Sequence, residues 1–198
     1  QLIEARYRLL PYLESLFAEH LETGAPVLRP LFWHAPEDPE AREIDDQFFF
    51  GRELLVAPIV ERGRHRRAVY LPAGRWHPFG GGPALLGERW HTVEIGYDTV
   101  PAFVREGAIL PLSEPVQHTG ELPGADVVFR CVGARASGRY REDDGHTLGY
   151  TRGEVSEWDL RFARGELRAA AKRLGFAATG RRYFVEHQGK RRLFTLPR

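Results

Sequence analysis

Val69-Tyr70-Leu71-Pro72-Ala73-Gly74-Arg75-Trp76-His77-Pro78-Phe79 is where the chain changes rhythm. Pro72 and Gly74 take the second and fourth positions of a type I turn, and β-favouring residues stand on both sides of it. The stretch therefore predicts two strands joined tightly. Moving toward the C-terminus, residues 90–95, 100–105 and 108–112 read as further strands between Gly and Asp punctuation, giving a small antiparallel sheet. The chain turns polar over 113–119, and a second β-rich unit follows. Its strands are expected at 126–132, 138–142, 147–150, 155–163, 166–173, 182–188 and 191–195, with Asp143-Asp144-Gly145 as a hairpin turn. Starts spaced by roughly 8 to 12 residues suggest a sandwich. Ala169-Ala170-Ala171-Lys172 has helical propensity but sits in a strand by context.

Toward the N-terminus the period is different. Leu9, Tyr12, Leu13, Leu16, Phe17 and His20 recur at helical spacing over residues 1–23, with Pro11 expected to bend the helix and Gly24 to end it in a left-handed cap. The apolar runs 25–34 and 54–60 are too short for helices and read as buried strands. The chain opens at Gln1 in helical pattern, with no capping residue before it and no methionine anywhere, so it is expected to begin partway through a longer protein.

Composition removes several classes of function. Twenty-eight Lys plus Arg against 27 Asp plus Glu leave a net charge of +1 over 198 residues, which provides no field to recruit nucleic acid or an anionic membrane. A single cysteine, Cys131, excludes an intrachain disulfide framework, and the eight histidines show no metal-sharing spacing. No apolar run approaches the roughly 20 residues that span a bilayer. The lone cysteine leans toward the cytoplasm, although a missing start makes the lack of a signal sequence uninformative.

Candidate chemistry is sparse. Asp45-Asp46 and Glu142-Asp143-Asp144 are the dense carboxylate groups, but neighbours on a strand point to opposite faces, whereas a glycosidase pair flanks one bond from separate parts of a fold. Both are read as connections. Arg62, Arg64, His65, Arg66 and Arg67, and again Lys190-Arg191-Arg192, read as solvated loop tips. Gly80-Gly81-Gly82 opens no helix and so lacks a phosphate-binding dipole. No serine lies in a G-x-S-x-G setting. Trp33, Trp76 and Trp90 have the chemistry to stack on sugar rings, but such aromatics more often form core.

Three groups of residues, in order, carry a likeness. Arg6-Tyr7-Arg8-Leu9-Leu10-Pro11-Tyr12-Leu13, Gly24-Ala25-Pro26-Val27-Leu28-Arg29-Pro30-Leu31-Phe32 and Asp45-Asp46-Gln47-Phe48 with Leu54-Leu55-Val56-Ala57-Pro58 come first. Val69-Tyr70-Leu71-Pro72 and Asp98-Thr99-Val100-Pro101-Ala102-Phe103-Val104-Arg105-Glu106-Gly107 follow, and Glu142-Asp143-Asp144-Gly145 with Tyr150 and Gly153 closes the series. Together they resemble the C-terminal region of glycoside hydrolase family 31, the α-glucosidase and α-xylosidase family.

The resemblance implies a mixed α and β chain: the terminal helix and strand section of a (β/α)8 barrel over 1–60, a proximal antiparallel β domain over 61–112 and a distal β-sandwich over 113–198. It also implies retaining hydrolysis of an α-linked oligosaccharide or glucoside through two aspartates about 5 Å apart. The segments that carry those aspartates have no counterpart here. Trp158-Asp159 is the only Trp-Asp pairing and lacks the surrounding motif. No catalytic, substrate-binding or metal residue is therefore assigned, and no cofactor is expected. Nucleic-acid and membrane partners are not expected either, and oligomeric state is left open.

Trp33 and His34, at the end of the last barrel strand, are the residues placed nearest a pocket wall by this implication. The competing reading is a self-standing carbohydrate-binding or interaction module that uses Trp76 or Trp90. If the β units fold independently, trimming the first 50 to 60 residues is expected to improve solubility.

Overall fold

The computed structural model describes residues 2–96 and 99–197. Gln1 and Asp98, the latter at the head of one of the resembling stretches, lie outside the described residues. Two compact units emerge, one built of residues 26–106 and the other of residues 3–25 with 107–198.

The N-terminal helical pattern breaks where the proline dictates. Helix α1 (Leu2–Arg8) gives way at Leu9 to α2 (Leu10–Thr23), whose first turn holds Pro11. At that position the missing N–H costs nothing, because the first-turn donors have no intrahelical partner. Gly24 then ends α2 at φ 73°, donating its N–H to the His20 carbonyl. The buried face is rotated from the apolar stripe. Pro11, Tyr12, Ser15, Leu16 and Ala18 face inward while Phe17 is exposed, and the Ser15 hydroxyl is satisfied by the Pro11 carbonyl at 3.1 Å.

In the first unit the short helix α3 (Pro39–Glu43) is capped by Asp38, whose carboxylate accepts from the Glu40 and Ala41 amides. The strands are β1 (Leu28–Pro30), β2 (Phe48–Phe50), β3 (Leu54–Val56), β4 (Arg66–Leu71), β5 (Arg75–Pro78), β6 (Leu85–Leu86), β7 (Arg89–Glu94) and β8 (Ala102–Arg105). Six of them form one sheet in the order β1-β2-β3-β8-β5-β6, with every neighbour antiparallel, and β4 pairs with β7 as a two-stranded ribbon. Leu31, Phe49, Leu55, Val69, Leu71, Trp76 and Phe103 fill the core between them.

This corrects the reading of the front of the chain. The run 25–34 contributes only β1, because a 3-10 turn over Leu31–Trp33 follows Pro30 at once, and Ile59 and Val60 beyond β3 are exposed. β1 to β3 pair antiparallel with one another and with β8. The described residues are mostly sheet with few helices, and the alternating strand and helix of a barrel is not present among them.

The second unit sets α2 against β9 (Ile109–Ser113) and β11 (Arg135–Glu142). Its remaining strands are β10 (Val127–Cys131), β12 (Ser156–Ala163), β13 (Glu166–Leu174), β14 (Tyr183–His187) and β15 (Lys190–Phe194). One sheet runs β15-β14-β10-β9 and the other β11-β12-β13. Inward-facing Phe129, Tyr140, Trp158, Leu160, Phe162 and Val185 make a common core, the alternation expected of a sandwich.

Two details differ from the sequence reading. β10 and β14 run parallel, because three strands intervene between them and the return does not need to be a hairpin. The stretch 147–150 is not a strand, and a 3-10 turn covers Gly149–Arg152. The alanine-rich segment is strand β13, as read.

Candidate functional site

The most completely built polar site lies in the second unit. Strand β11 alternates inward and outward so that Tyr140 and Glu142 share the buried face, and Glu142 is only 3% exposed. Its Oε2 accepts from the Tyr140 hydroxyl at 2.8 Å, the Tyr183 hydroxyl at 2.8 Å and Arg181 at 3.0 Å, while Oε1 accepts from Tyr183 at 3.0 Å. Arg181 also donates to the Leu122 carbonyl at 2.6 Å. A buried charge requires a counter-charge and filled lone pairs, and Glu142 has both. Burial drives the Tyr140 hydroxyl well above its ordinary pKa, so it remains a donor.

A cavity of about 270 Å³ adjoins this network, lined by Trp158, Leu174, Phe176 and Leu196 beside Glu142 and Arg181. The Trp158 indole N–H is already committed to the Pro197 carbonyl at 3.0 Å. The arrangement is a structural lock: it ties β11 to β14 and to residue 122 and presents no carboxylate oxygen free to act on a substrate.

Asp46, Asp143 and Asp144 are also engaged, whereas among the described residues Asp45 is not. Asp143 accepts from the Gly145 amide at 2.8 Å, and Asp144 accepts from the His146 and Thr147 amides and the Thr147 hydroxyl. The bonds from Thr147, then that from His146, hold the Asp144 carboxyl down at about 2. Asp143 and Asp144 lie in a connection, but not in the expected tight hairpin: they open the long segment from β11 to β12, and Glu142 belongs to the core. Asp46 meets Arg67 at 2.6 Å, and the same guanidinium reaches the Pro58 carbonyl. Asp45 is exposed.

Sequence reasoning missed Gln47. Its buried side chain accepts from the Tyr70 amide and donates to the Tyr70 carbonyl, both at 2.9 Å, replacing a missing strand partner.

Trp33 is 48% exposed. The His34 Nε2 lies 3.1 Å from Arg29 and 3.3 Å from the Gly51 carbonyl, and its ring meets Phe49 edge-on. Burial, with the Arg29 charge beside it, lowers the His34 pKa and keeps the ring neutral. Trp76 is fully buried and bonds to the Pro72 carbonyl at 2.8 Å, so it is core and unavailable to a ligand. Trp90 is 48% exposed. Burial, then the neighbouring Glu186 charge, pushes the Cys131 thiol up to about 12, which makes it inert. Among the described residues no group of His, Cys, Asp and Glu is arranged to hold a metal, and no helix is long and apolar enough to cross a membrane.

Comparison with known proteins gives a consistent result. Residues 24–110 match the model of the glycosyl hydrolase family 31 C-terminal domain. "Alpha-glucosidase 2" of Bacillus thermoamyloliquefaciens is 34% identical over 167 residues, 83% of this chain and 21% of that protein. The "Alpha-xylosidase" of Saccharolobus solfataricus is 35% identical over 156 residues, 77% of this chain and 21% of the relative. Among solved structures, a Flavobacterium johnsoniae family 31 dextranase complexed with glucose superposes with TM-score 0.83 at 32% identity, covering 92% of this chain and 24% of the dextranase. A family 31 α-xylosidase from Xanthomonas citri gives 0.82 at 32% identity, covering 92% and 20%. The chain thus spans about a fifth to a quarter of the proteins it matches.

Proposed function

The chain belongs to glycosyl hydrolase family 31 and corresponds to its C-terminal region, and from that premise we propose that it serves as the β scaffold of a retaining enzyme acting on α-glycosidic bonds, an α-glucosidase. The observation that carries this is the superposition on the dextranase, where nine-tenths of this chain aligns with about a quarter of a glycosidase. In this reading the helical residues 1–23 adjoin a catalytic barrel supplied by the rest of the enzyme, residues 26–106 are the proximal and residues 107–198 the distal β domain, in keeping with the antiparallel pairing of β3 with β8 and of β9 with β10. Its substrate is an α-linked oligosaccharide or glucoside, in keeping with the isomaltotriose held by the related dextranase.

The chemistry of the scaffold role follows from its own carboxylates. Retaining hydrolysis needs one carboxylate free to attack and a second to shuttle a proton, about 5 Å apart. Asp46 is held by an arginine, Glu142 is saturated by two tyrosines and an arginine, and Asp144 is consumed by its turn. The proposal is therefore that this chain positions a catalytic pair without supplying it. The competing module reading loses one of its two tryptophans, since Trp76 is sealed in the core.

The test is an assay of the purified 198-residue chain on an aryl α-glucoside, beside the complete product of the same gene. The chain is expected to be silent and the complete product active. Turnover by the chain alone that disappears when one of its own carboxylates is replaced overturns the proposal.

A further inference from the structure

We propose that the exposed face of the β4–β7 ribbon is a binding site for a neutral α-linked oligosaccharide, with Trp90 as its platform. The pairing register sets three residue pairs side by side: Tyr70 opposite Trp90, Ala68 opposite Thr92, and Arg66 opposite Glu94. Successive strand residues point to opposite faces, so these six share one face while Arg67, Val69 and Leu71 share the other. Of the six, only Tyr70 is buried, and the remaining five are exposed. Four residues separate the end pairs, a length of about 13 Å at roughly 3.3 Å per residue.

The composition of this face follows an order. At one end the indole of Trp90 stands 48% exposed and is fixed twice: its N–H meets Glu40 at 3.1 Å, and its ring packs against Tyr70 at a tilt of 56° with centroids 5.4 Å apart. Tyr70 is itself held, its hydroxyl donating to Asp38 at 2.8 Å. The platform is thus pre-oriented before any ligand arrives, which lowers the ordering cost of binding. In the middle, Ala68 and Thr92 form a low floor. At the far end Arg66 and Glu94 meet at 3.0 Å, leaving further donors and acceptors open to solvent.

That sequence of surfaces fits a chain of pyranose rings. The C–H face of one ring is apolar and carries a slight positive charge, which suits the negative face of an indole. Hydroxyls farther along meet a guanidinium and a carboxylate that cancel each other's charge. With Glu40 beside the platform, the face disfavours polyanions. The proposal rests on the glycosidase reading for the choice of sugar.

Affinity electrophoresis of the 198-residue chain in gels containing soluble amylopectin or dextran decides the matter. The unaltered chain is expected to be retarded by at least one polysaccharide. Trp90→Ala should weaken binding at least tenfold, and Trp90→Phe should keep it within about threefold. If Trp90→Ala unfolds the ribbon, Ala68→Glu provides an independent arm, since it fills the floor, leaves the indole in place and should weaken binding to a similar degree. An unaltered chain that neither polysaccharide retards overturns the site, as does undiminished retardation of a folded Trp90→Ala or, should that variant unfold, of Ala68→Glu. Either result leaves the glycosidase reading standing, because that reading falls only to turnover by the chain's own carboxylates.

Discussion

Arg181 lies 3.0 Å from Glu142 with both side chains almost wholly removed from solvent, at 9% and 3% exposure. Two tyrosine hydroxyls complete the shell of Glu142, which is solvated by protein in place of water, while the Arg181 Nε is buried without a partner. Glu142→Ala strands a buried guanidinium and is expected to cost about 3–5 kcal/mol, the range for breaking a buried pair by removing one partner. Tyr183→Phe removes hydroxyl donation alone and should cost about 1–3 kcal/mol, since hydrogen bonds to charged groups lie at the upper end of the usual range. Replacing Glu142 and Arg181 together with Leu and Met should cost less than the two single losses added. Urea denaturation of the chain and its variants measures this, and strictly additive losses would show that the pair is not coupled.

Glu142 shows where the sequence was legible and where it was not. The Gly24 cap is readable because residues adjacent in the chain fix it; the strands on either side of Pro72–Gly74 are readable too, but not that β4 pairs with β7 while β5 joins β6 and β8 in another sheet. Glu142 was grouped with the turn acids beside it, yet the period-two alternation from Tyr140 was a usable sign that it points inward. Its partners Arg181 and Tyr183 lie about forty residues away, and no local pattern announces them. Gln47 is hidden for the same reason, since its role is defined by Tyr70 on another strand. The parallel pairing of β10 with β14 is likewise a decision between distant segments.

Two glycines should prove irreplaceable on steric grounds. A Cβ at Gly87 would collide with the Pro72 carbonyl, and a Cβ at Gly175 would collide with the Gly153 carbonyl and press on that of Val155. Backbone atoms cannot rotate aside as a side-chain tip can. Gly87→Ala in the first unit and Gly175→Ala in the second are each expected to destabilise by about 2–4 kcal/mol, near the upper tail for single substitutions. Thermal unfolding checks this. Gly165→Ala is the control, because nothing lies within 4 Å of its Cβ position and only its φ of 79° penalises the change. It should cost clearly less than either.

Trimming the first 60 residues should harm the protein, contrary to the expectation drawn from independent β units. The cut removes β1, β2 and β3, half of a six-stranded sheet, and bares the edge of β8 with Phe103 and Val104. It also removes α2, whose Tyr12 and Leu16 are buried in the second unit. An open apolar edge of this kind invites pairing between molecules. The trimmed chain is expected to give less soluble protein than the parent and to elute as aggregate on size exclusion. A monodisperse trimmed product would mean that residues 61–198 contain a complete core of their own.

The pH dependence of stability should trace to Glu14. Its Oε1 is buried without a hydrogen-bond partner, and burial, reinforced by Asp143 and Glu142 against Arg141 and Arg181, raises its pKa from 4.5 to about 8. The folded protein therefore keeps a proton that the unfolded chain releases above about pH 4.5. Because the native state binds more protons across that window, stability falls as pH rises from about 4.5 to about 8. The contribution is fully present below the window and lost above it. Glu14→Gln keeps the shape of the protonated acid and carries no charge, so it should match the parent near pH 4.5 and exceed it at pH 8. Melting temperatures of both proteins measured from pH 4.5 to 9 provide the check: parallel profiles for parent and variant would assign the pH dependence to another group.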